Sequence, residues 1–200
     1  NNLKIHSINR GGMYFAGIYD QNTVESSTGT VTNLVVDGCD VYDTNMIIAS
    51  NELVSLIRVN GFELKNSKFH ESGLNSIESD GKDGVDFKNG TRNGSIHDNE
   101  IYGTGYVYGD AYSGTSWNGI YIDGQGYAQD NIRIYNNYFH DICRGAIVLG
   151  NEVNSAAQTN IDIYNNIFYN NQYALRIYPF NFTRNYRFIN NTCYKNYYSV

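Results

Sequence analysis

Two short segments carry the side chains best suited to chemistry, Val85-Asp-Phe-Lys88 and Ile120-Tyr-Ile-Asp123. Each alternates apolar with polar residues, the two-residue period of a strand that buries one face. With Val85, Phe87, Ile120 and Ile122 inward, Asp86, Lys88, Tyr121 and Asp123 point outward. Similar segments at Gly17–Asp20, Leu56–Asn60, Ala146–Gly150 and Ala174–Tyr178 can be set in register with these two, with Ile57, Ile147 and Leu175 inward, and Val59, Leu149 and Ile177 inward beside them. One outward column then reads Tyr19, Arg58, Asp86, Tyr121, Val148, Arg176, and its neighbour Asn60, Lys88, Asp123, Gly150, Tyr178. Strands stacked about 4.8 Å apart bring Arg58, Asp86, Lys88 and Asp123 into one cluster. Paired carboxylates beside an amine suit proton transfer or oxygen ligation of a hard cation. The competing account is a solvated salt-bridge ladder, opposite charges pairing across adjacent strands for modest stability.

A repeat supplies the scaffold for these columns. Asn131-Ile-Arg-Ile-Tyr-Asn-Asn-Tyr-Phe139 returns as Asn160-Ile-Asp-Ile-Tyr-Asn-Asn-Ile-Phe168 and, more loosely, as Asn185–Cys193, Asn93–Ile101, Gly61–Phe69 and Asn33–Val41. Aligning the second Asn of each copy gives Ile8, Cys39, Ser67, Asn99, Asn137, Asn166 and Asn191, an irregular period of about thirty residues. Repeats of that length imply a solenoid, whose coils cannot bury an apolar face alone and must stack. Helix is a poor competitor, because the segments are short, rich in Ile, Val, Tyr and Phe, and interrupted by Asn and Gly. With one proline in 200 residues, Asn, Gly, Asp and Ser must make the turns, and they tolerate left-handed backbone geometry. Asn at the same turn of successive coils can bond its amide to the coil above, so that stacking leaves no polar group unpaired.

The order of apolar strand, Asn-Asn turn, short strand, Gly and apolar strand resembles the right-handed parallel β-helix of the pectate lyase superfamily, over essentially the whole chain. The resemblance implies an all-β solenoid of about six coils with an Asn ladder, residues 1–200 forming a single domain that reads as a segment of a longer chain. It makes the strand before the Asn turn part of the second sheet and the Gly-initiated strand part of the first, whose outer face and loops form a sugar-binding groove in that superfamily. It further implies a polysaccharide lyase that cleaves a uronic-acid glycan by β-elimination with Ca²⁺, secreted or held at the cell surface. Lys88 is then the candidate base, with Arg58 and Asp123 beside it in the catalytic set, Arg58 or Arg176 the candidate substrate clamp, and Asp86, Asp123 and Glu152 the candidate Ca²⁺ ligands. Because its carboxylate neighbours raise the pKa of Lys88, this role requires a bound cation to offset them. Tyr121 and Tyr178 join the substrate-binding set, as do Tyr108, Tyr112 and Trp117 from the long insertion at Thr104–Trp117, whose flat rings suit the C–H faces of a pyranose. The Asp pairs, Gly-His-Gly and Arg-Ile-Lys set of polygalacturonase-type hydrolases and the Asp-Pro-His-Glu motif of secreted mannuronan epimerases are missing. A Lys and an Arg on adjacent coils are similar to the arrangement in the alginate lyase and chondroitinase B family, although the surrounding motifs differ. Two alternatives stand beside the lyase: a non-catalytic glycan-binding, adhesive or filament-forming solenoid, and a glycoside hydrolase using Asp86 and Asp123 as its carboxylate pair.

Composition sets the bounds. A formal charge of -6 with 14 Lys and Arg argues against nucleic acid, which requires clustered cations. No run of eighteen apolar residues is present, so no helical membrane insertion is expected. The coils left open at either end allow end-to-end self-association. Cys39, Cys143 and Cys193 show no metal spacing and read as buried thiols. His6, His70, His97 and His140 fall beside the Asn-turn strands, away from the proposed groove. Glu78, Asp80 and Asp83 lack the spacing of a helix–loop–helix calcium site and read as an exposed turn.

Overall fold

The computed structural model describes residues 3–7, 12–17, 31–44, 52–72, 83–104, 118–124, 127–150, 157–178 and 184–200. Among them every extended segment pairs in parallel, and three sheets run the length of the molecule. Sheet I contains β2 (Met13–Ala16), β5 (Val54–Ile57), β8 (Val85–Lys88), β11 (Ile120–Asp123), β14 (Gly145–Gly150) and β17 (Tyr173–Ile177). Sheet II contains β3 (Val31–Asp37), β6 (Val59–Lys65), β9 (Arg92–His97), β12 (Gln129–Tyr135), β15 (Gln158–Tyr164) and β18 (Arg184–Ile189). Sheet III is made of the short strands β1 (Lys4–Ile5), β4 (Asp40–Tyr42), β7 (Lys68–His70), β10 (Glu100–Tyr102), β13 (Tyr138–His140), β16 (Ile167–Tyr169) and β19 (Thr192–Tyr194). The chain passes from sheet I to II to III in each coil, so neighbours in a sheet lie about thirty residues apart in sequence. This is the parallel β-helix expected from the repeat.

Each sheet contributes one inward stripe to a shared core. Val54, Leu56, Val85, Phe87, Ile120 and Ile122 come from sheet I, Phe62, Leu64, Ile96, Ile132 and Ile134 from sheet II, and Val41, Phe69, Ile101, Phe139 and Phe168 from sheet III, all buried. Like residues stack on like: the Phe139 and Phe168 rings lie 5.0 Å apart and within 9° of parallel. Gly is required where sheet I begins, because a Cβ on Gly84 would lie 2.6 Å from the carbonyl oxygen of Gly119, and one on Gly119 2.6 Å from that of Ala146. The corners consume the Asn. Asn66, Asn136, Asn165 and Asn190 between sheets II and III, and Asn33, Asn93, Asn131 and Asn160 within sheet II strands, all have positive φ, a region that Asn enters at low cost.

The buried Asn ladder follows the expected register from Cys39 onward. Ser67 N–H donates to Asn99 Oδ1 at 2.9 Å, Asn99 N–H to Asn137 Oδ1 at 3.1 Å, Asn137 N–H to Asn166 Oδ1 at 2.9 Å, and Asn166 N–H to Asn191 Oδ1 at 2.9 Å. Ser67 Oγ stands in for the amide above Cys39, accepting its N–H at 3.0 Å. Ile8 lies outside the described residues. A second ladder of Gln129 and Gln158, linked at 3.1 Å, caps the corner between sheets I and II.

Two sheet I strands depart from the expected register. Leu56–Asn60 is not one strand: the backbone turns at Arg58, φ 56°, ending β5 and starting β6 in sheet II. Val54 and Leu56, not Ile57 and Val59, align with Val85 and Phe87. Likewise the strand paired with β5 is Met13–Ala16 rather than Gly17–Asp20, and residues 18–20, Tyr19 included, lie outside the described residues. The outward columns therefore read Tyr14, Ser55, Asp86, Tyr121, Val148, Arg176 and Ala16, Ile57, Lys88, Asp123, Gly150, with Tyr178 following β17 beside the second. Among the described residues no helix is long and apolar enough to cross a membrane.

Candidate functional site

The sheet I register brings Asp86, Lys88 and Asp123 together on adjacent strands, as expected, but not Arg58. Ser55 stands opposite Asp86, while Arg58 occupies the corner, its N–H on the Lys88 carbonyl at 3.3 Å and its guanidinium over the Tyr127 ring at 4.7 Å. The cluster is also not an open face. Asp86 is 2% exposed and Asp123 0%, and the Lys88 side chain 17%. These side chains leave the core on the outward side of the sheet and are covered there.

A residue missed by the sequence reading completes the cluster. Glu52 precedes β5, is itself buried, and accepts from Lys88 Nζ at Oε1 at 2.7 Å, while its Oε2 takes a short hydrogen bond from Ser55 Oγ. Lys88 Nζ lies 3.2 Å from Asp86 Oδ2 on the other side. The signal for Glu52 lay in the register: once Val54 rather than Ile57 faces Val85, Glu52 falls just ahead of the strand beside Asp83. Asp83, read as part of an exposed turn, is buried and accepts the Asn118 N–H at Oδ1 at 2.8 Å.

The electrostatics follow from four carboxyls placed around one ammonium. Burial, together with the nearby Glu52, Asp83 and Asp123, pushes the Asp86 carboxyl well above the usual carboxylate range against the pull of Lys88. Burial likewise lifts Asp83 to about 7, with the Asn118 hydrogen bond working in the opposite direction. For Lys88, burial disfavours the charge, but Asp86 and Glu52 outweigh it and raise the group above an ordinary lysine. Lys88 is thus a held cation and a poor base while both carboxylates face it. Asp86 takes up a proton more readily than an ordinary carboxyl, and its buried Oδ1 has no hydrogen-bond partner among the described residues.

The remaining candidates divide. Tyr121 lies on the outward column next to Asp86, its ring over Gly150, where a Cβ would fall 2.5 Å from Tyr121 Cε2. Arg176 sits three strands from Asp86 in the same column, its guanidinium 5.2 Å from the Tyr173 ring and 4.7 Å from that of Tyr178. Tyr108, Tyr112, Trp117 and Glu152, with Glu78 and Asp80, lie outside the described residues. Among the described residues no three acidic, His or Cys side chains converge to hold a metal. The histidines are elsewhere, in ring stacks on sheets II and III, as His70 between Tyr42 and Tyr102 at 4.8 and 4.5 Å.

Fold and site together define a parallel β-helix protein with a buried acid–lysine cluster on the outward side of one sheet. No family model and no curated protein matches the chain. Among solved structures it is similar to an alginate lyase from Paenibacillus sp. str. FPU-7, at 10% identity over 98% of this chain and 80% of that chain, with a TM-score of 0.40. So distant a likeness says nothing about this chain's reaction, and its fold rests on the three sheets themselves.

Proposed function

We propose that the chain is a polysaccharide-active enzyme that cleaves a uronic-acid glycan along the outward face of sheet I, by β-elimination. The observation that carries this reading is the buried set of Glu52, Asp86, Lys88 and Asp123. A lyase needs a cation for the uronate carboxylate, a base for the C5 proton and an acid for the leaving oxygen. Lys88, held charged, supplies the cation in place of the base role its spacing suggested. Asp86, inclined to keep its proton, supplies the acid, and Asp123 on the adjacent strand the base. Arg176, with Tyr173 and Tyr178, and Tyr121 extend the binding track along the column. The described residues do not assemble a complete calcium site, so no step is routed through Ca²⁺; Asp86 and Asp123, with Glu152, are the residues proposed for a cation whose charge would offset the carboxyls. Secretion or display at the cell surface goes with this substrate class.

A second reading is favoured by one specific feature. Four carboxyls to one ammonium is a setting that suits a neutral glycan better than a uronate, and a protonated Asp86 beside Asp123 is the carboxyl pair of a glycoside hydrolase. One experiment separates the readings: incubation with alginate, pectate and glycosaminoglycans, and with neutral glycans, with Ca²⁺ or with EDTA, following both the absorbance of unsaturated products and new reducing ends. Absorbance supports the lyase, reducing ends without absorbance the hydrolase. Neither on any glycan refutes both and leaves a non-catalytic solenoid.

A further inference from the structure

The corner between sheets II and III, on a different side of the coil from the acid–lysine cluster, carries a groove of about 440 Å³ that crosses four coils. Its floor is the exposed Asn-turn column Asn66, Asp98, Asn136 and Asn165, and its wall includes Tyr138 and Ile167. From the groove we infer a second glycan site, one that binds an extended neutral β-1,4-linked polysaccharide laid parallel to the solenoid axis.

Three features support this occupant. The column repeats every coil, about 4.8 Å, close to the rise of one sugar unit in an extended β-linked chain and unlike the roughly 3.3 Å repeat of a peptide strand. The amides along it leave complementary groups open to hydroxyls. Among the described residues, Asn66 uses only its NH₂, donating to Asp37 at 2.9 Å; Asn165 uses only its oxygen, accepting from Asn190 at 2.6 Å; and the Asn136 side chain makes neither kind of bond. Beside them Tyr138 and Ile167 pair in register, with Ile167 49% exposed, an apolar strip two coils long for the C–H face of the sugars.

Charge selects against an acidic chain. Among the described residues the one cation in the groove, Lys68, is engaged by Glu100 at 2.6 Å, and the Asp98 carboxylate by His97 at 2.7 Å. Among the described residues no further ammonium or guanidinium lines the groove to meet a uronate.

Affinity electrophoresis of the whole chain in native gels containing hydroxyethyl cellulose or glucomannan, with alginate and pectate gels in parallel, tests the site. The wild-type chain is expected to be retarded by a neutral glycan. The triple variant Asn136→Gly, Asn165→Gly, Tyr138→Ala is expected to bind it about tenfold or more weakly, the loss of one or two hydrogen bonds and a stacking contact. Gly keeps the positive φ of both turn positions, and the buried ladder is untouched. Ile167→Arg, a change at an exposed position that puts bulk into the groove, gives the same loss without altering any turn. Retardation by acidic glycans alone, by none, or equally in wild type and Ile167→Arg overturns the inference. Because the assay reads binding at a corner remote from sheet I, its outcome is independent of cleavage activity.

Discussion

Replacing Asp83 by Asn should change the pH dependence of stability in a way that only a buried, proton-holding carboxyl can explain. The Asp83 side chain is buried, its Oδ1 accepts the Asn118 N–H at 2.8 Å, and burial moves its carboxyl from 3.8 to about 7. The folded form therefore holds a proton that the unfolded chain loses near pH 4. Below pH 4 both states are protonated and the group contributes nothing. As pH rises from 4 to 7 the unfolded state is increasingly favoured, and above about 7 the full penalty applies, roughly 4 kcal/mol from that difference in pKa. Asn retains the acceptor for Asn118 and has no proton to lose. The Asp83→Asn chain should match wild type within about 1 kcal/mol at pH 4 and exceed it by about 2–4 kcal/mol at pH 8.5. Urea unfolding followed by far-ultraviolet circular dichroism at pH 4, 6, 7 and 8.5 measures this. A difference between the two proteins that stays flat across that range would refute the reasoning, because it would mean that Asp83 ionises alike in both states. A difference of the opposite sign would mean that the charged carboxylate is what Asn118 and Lys88 stabilise.

Other substitutions test the remaining parts of the fold and site. Asn137→Ala removes the acceptor for Asn99 N–H and Nδ2 and the donor to the Ile96 carbonyl at 3.0 Å, leaving buried groups unpaired, and should cost about 2–4 kcal/mol in urea denaturation, whereas exposed Asn136→Gly should stay within about 0.5 kcal/mol. Lys88→Met removes the ammonium that Glu52 and Asp86 hold at 2.7 and 3.2 Å and should destabilise by about 3–5 kcal/mol at pH 7, which thermal melts would show. Phe87→Ala, a ring with 0% exposure packed 4.9 Å from Phe62, should cost about 3–5 kcal/mol. Asp86→Asn should remove glycan cleavage while raising stability at alkaline pH; retained turnover in the product assay would withdraw the acid role.

The Asn ladder was readable because its chemistry is local. A buried amide that must bond up and down the stack and a neighbour at positive φ leave an Asn-Asn pair in the sequence, and the register Cys39, Ser67, Asn99, Asn137, Asn166, Asn191 follows directly. Sheet I from β8 to β14 was readable for the same reason, since Gly84, Gly119 and Gly145 mark where those strands start, and β17 followed from its alternation. The register failed at β5, and Arg58 shows why. It stands at the corner that Asn89 occupies one coil later, both with positive φ, but Arg gives no turn signal, and Ile57-Arg-Val reads as uninterrupted alternation. Its conformation is held by tertiary contacts, the Lys88 carbonyl and the Tyr127 ring. That one displaced corner moved Arg58 into the cluster on paper and kept Glu52 out of it. Burial of the site was invisible for a different reason: alternation says which side of a sheet a residue leaves from, not whether that side is covered.

The outward faces of the three sheets can be set against the plain alternative, that the charges on sheet I are an ordinary surface ladder. Sheets II and III fit that description. Glu63 pairs with Lys65 at 2.7 Å, Asp162 with Arg187 at 2.7 Å, and Glu100 with Lys68 at 2.6 Å, each acid matched by a base and each pair in partial contact with water, where such pairs cost little and contribute little. Sheet I breaks the pattern twice over. In its cluster four described acids, Glu52, Asp83, Asp86 and Asp123, stand against one described cation, Lys88, and they are buried, so each adds a desolvation penalty that one ammonium cannot repay. Stacking adds to this at Glu52, which raises the Asp83 carboxyl of the next coil. A scaffold that only needed stability would be better served by Thr or Val at Asp86 and Asp123, residues that suit a covered strand face. Among the described residues the cost is concentrated on one sheet, a distribution that supports the proposed reading of the cluster over an ordinary surface ladder.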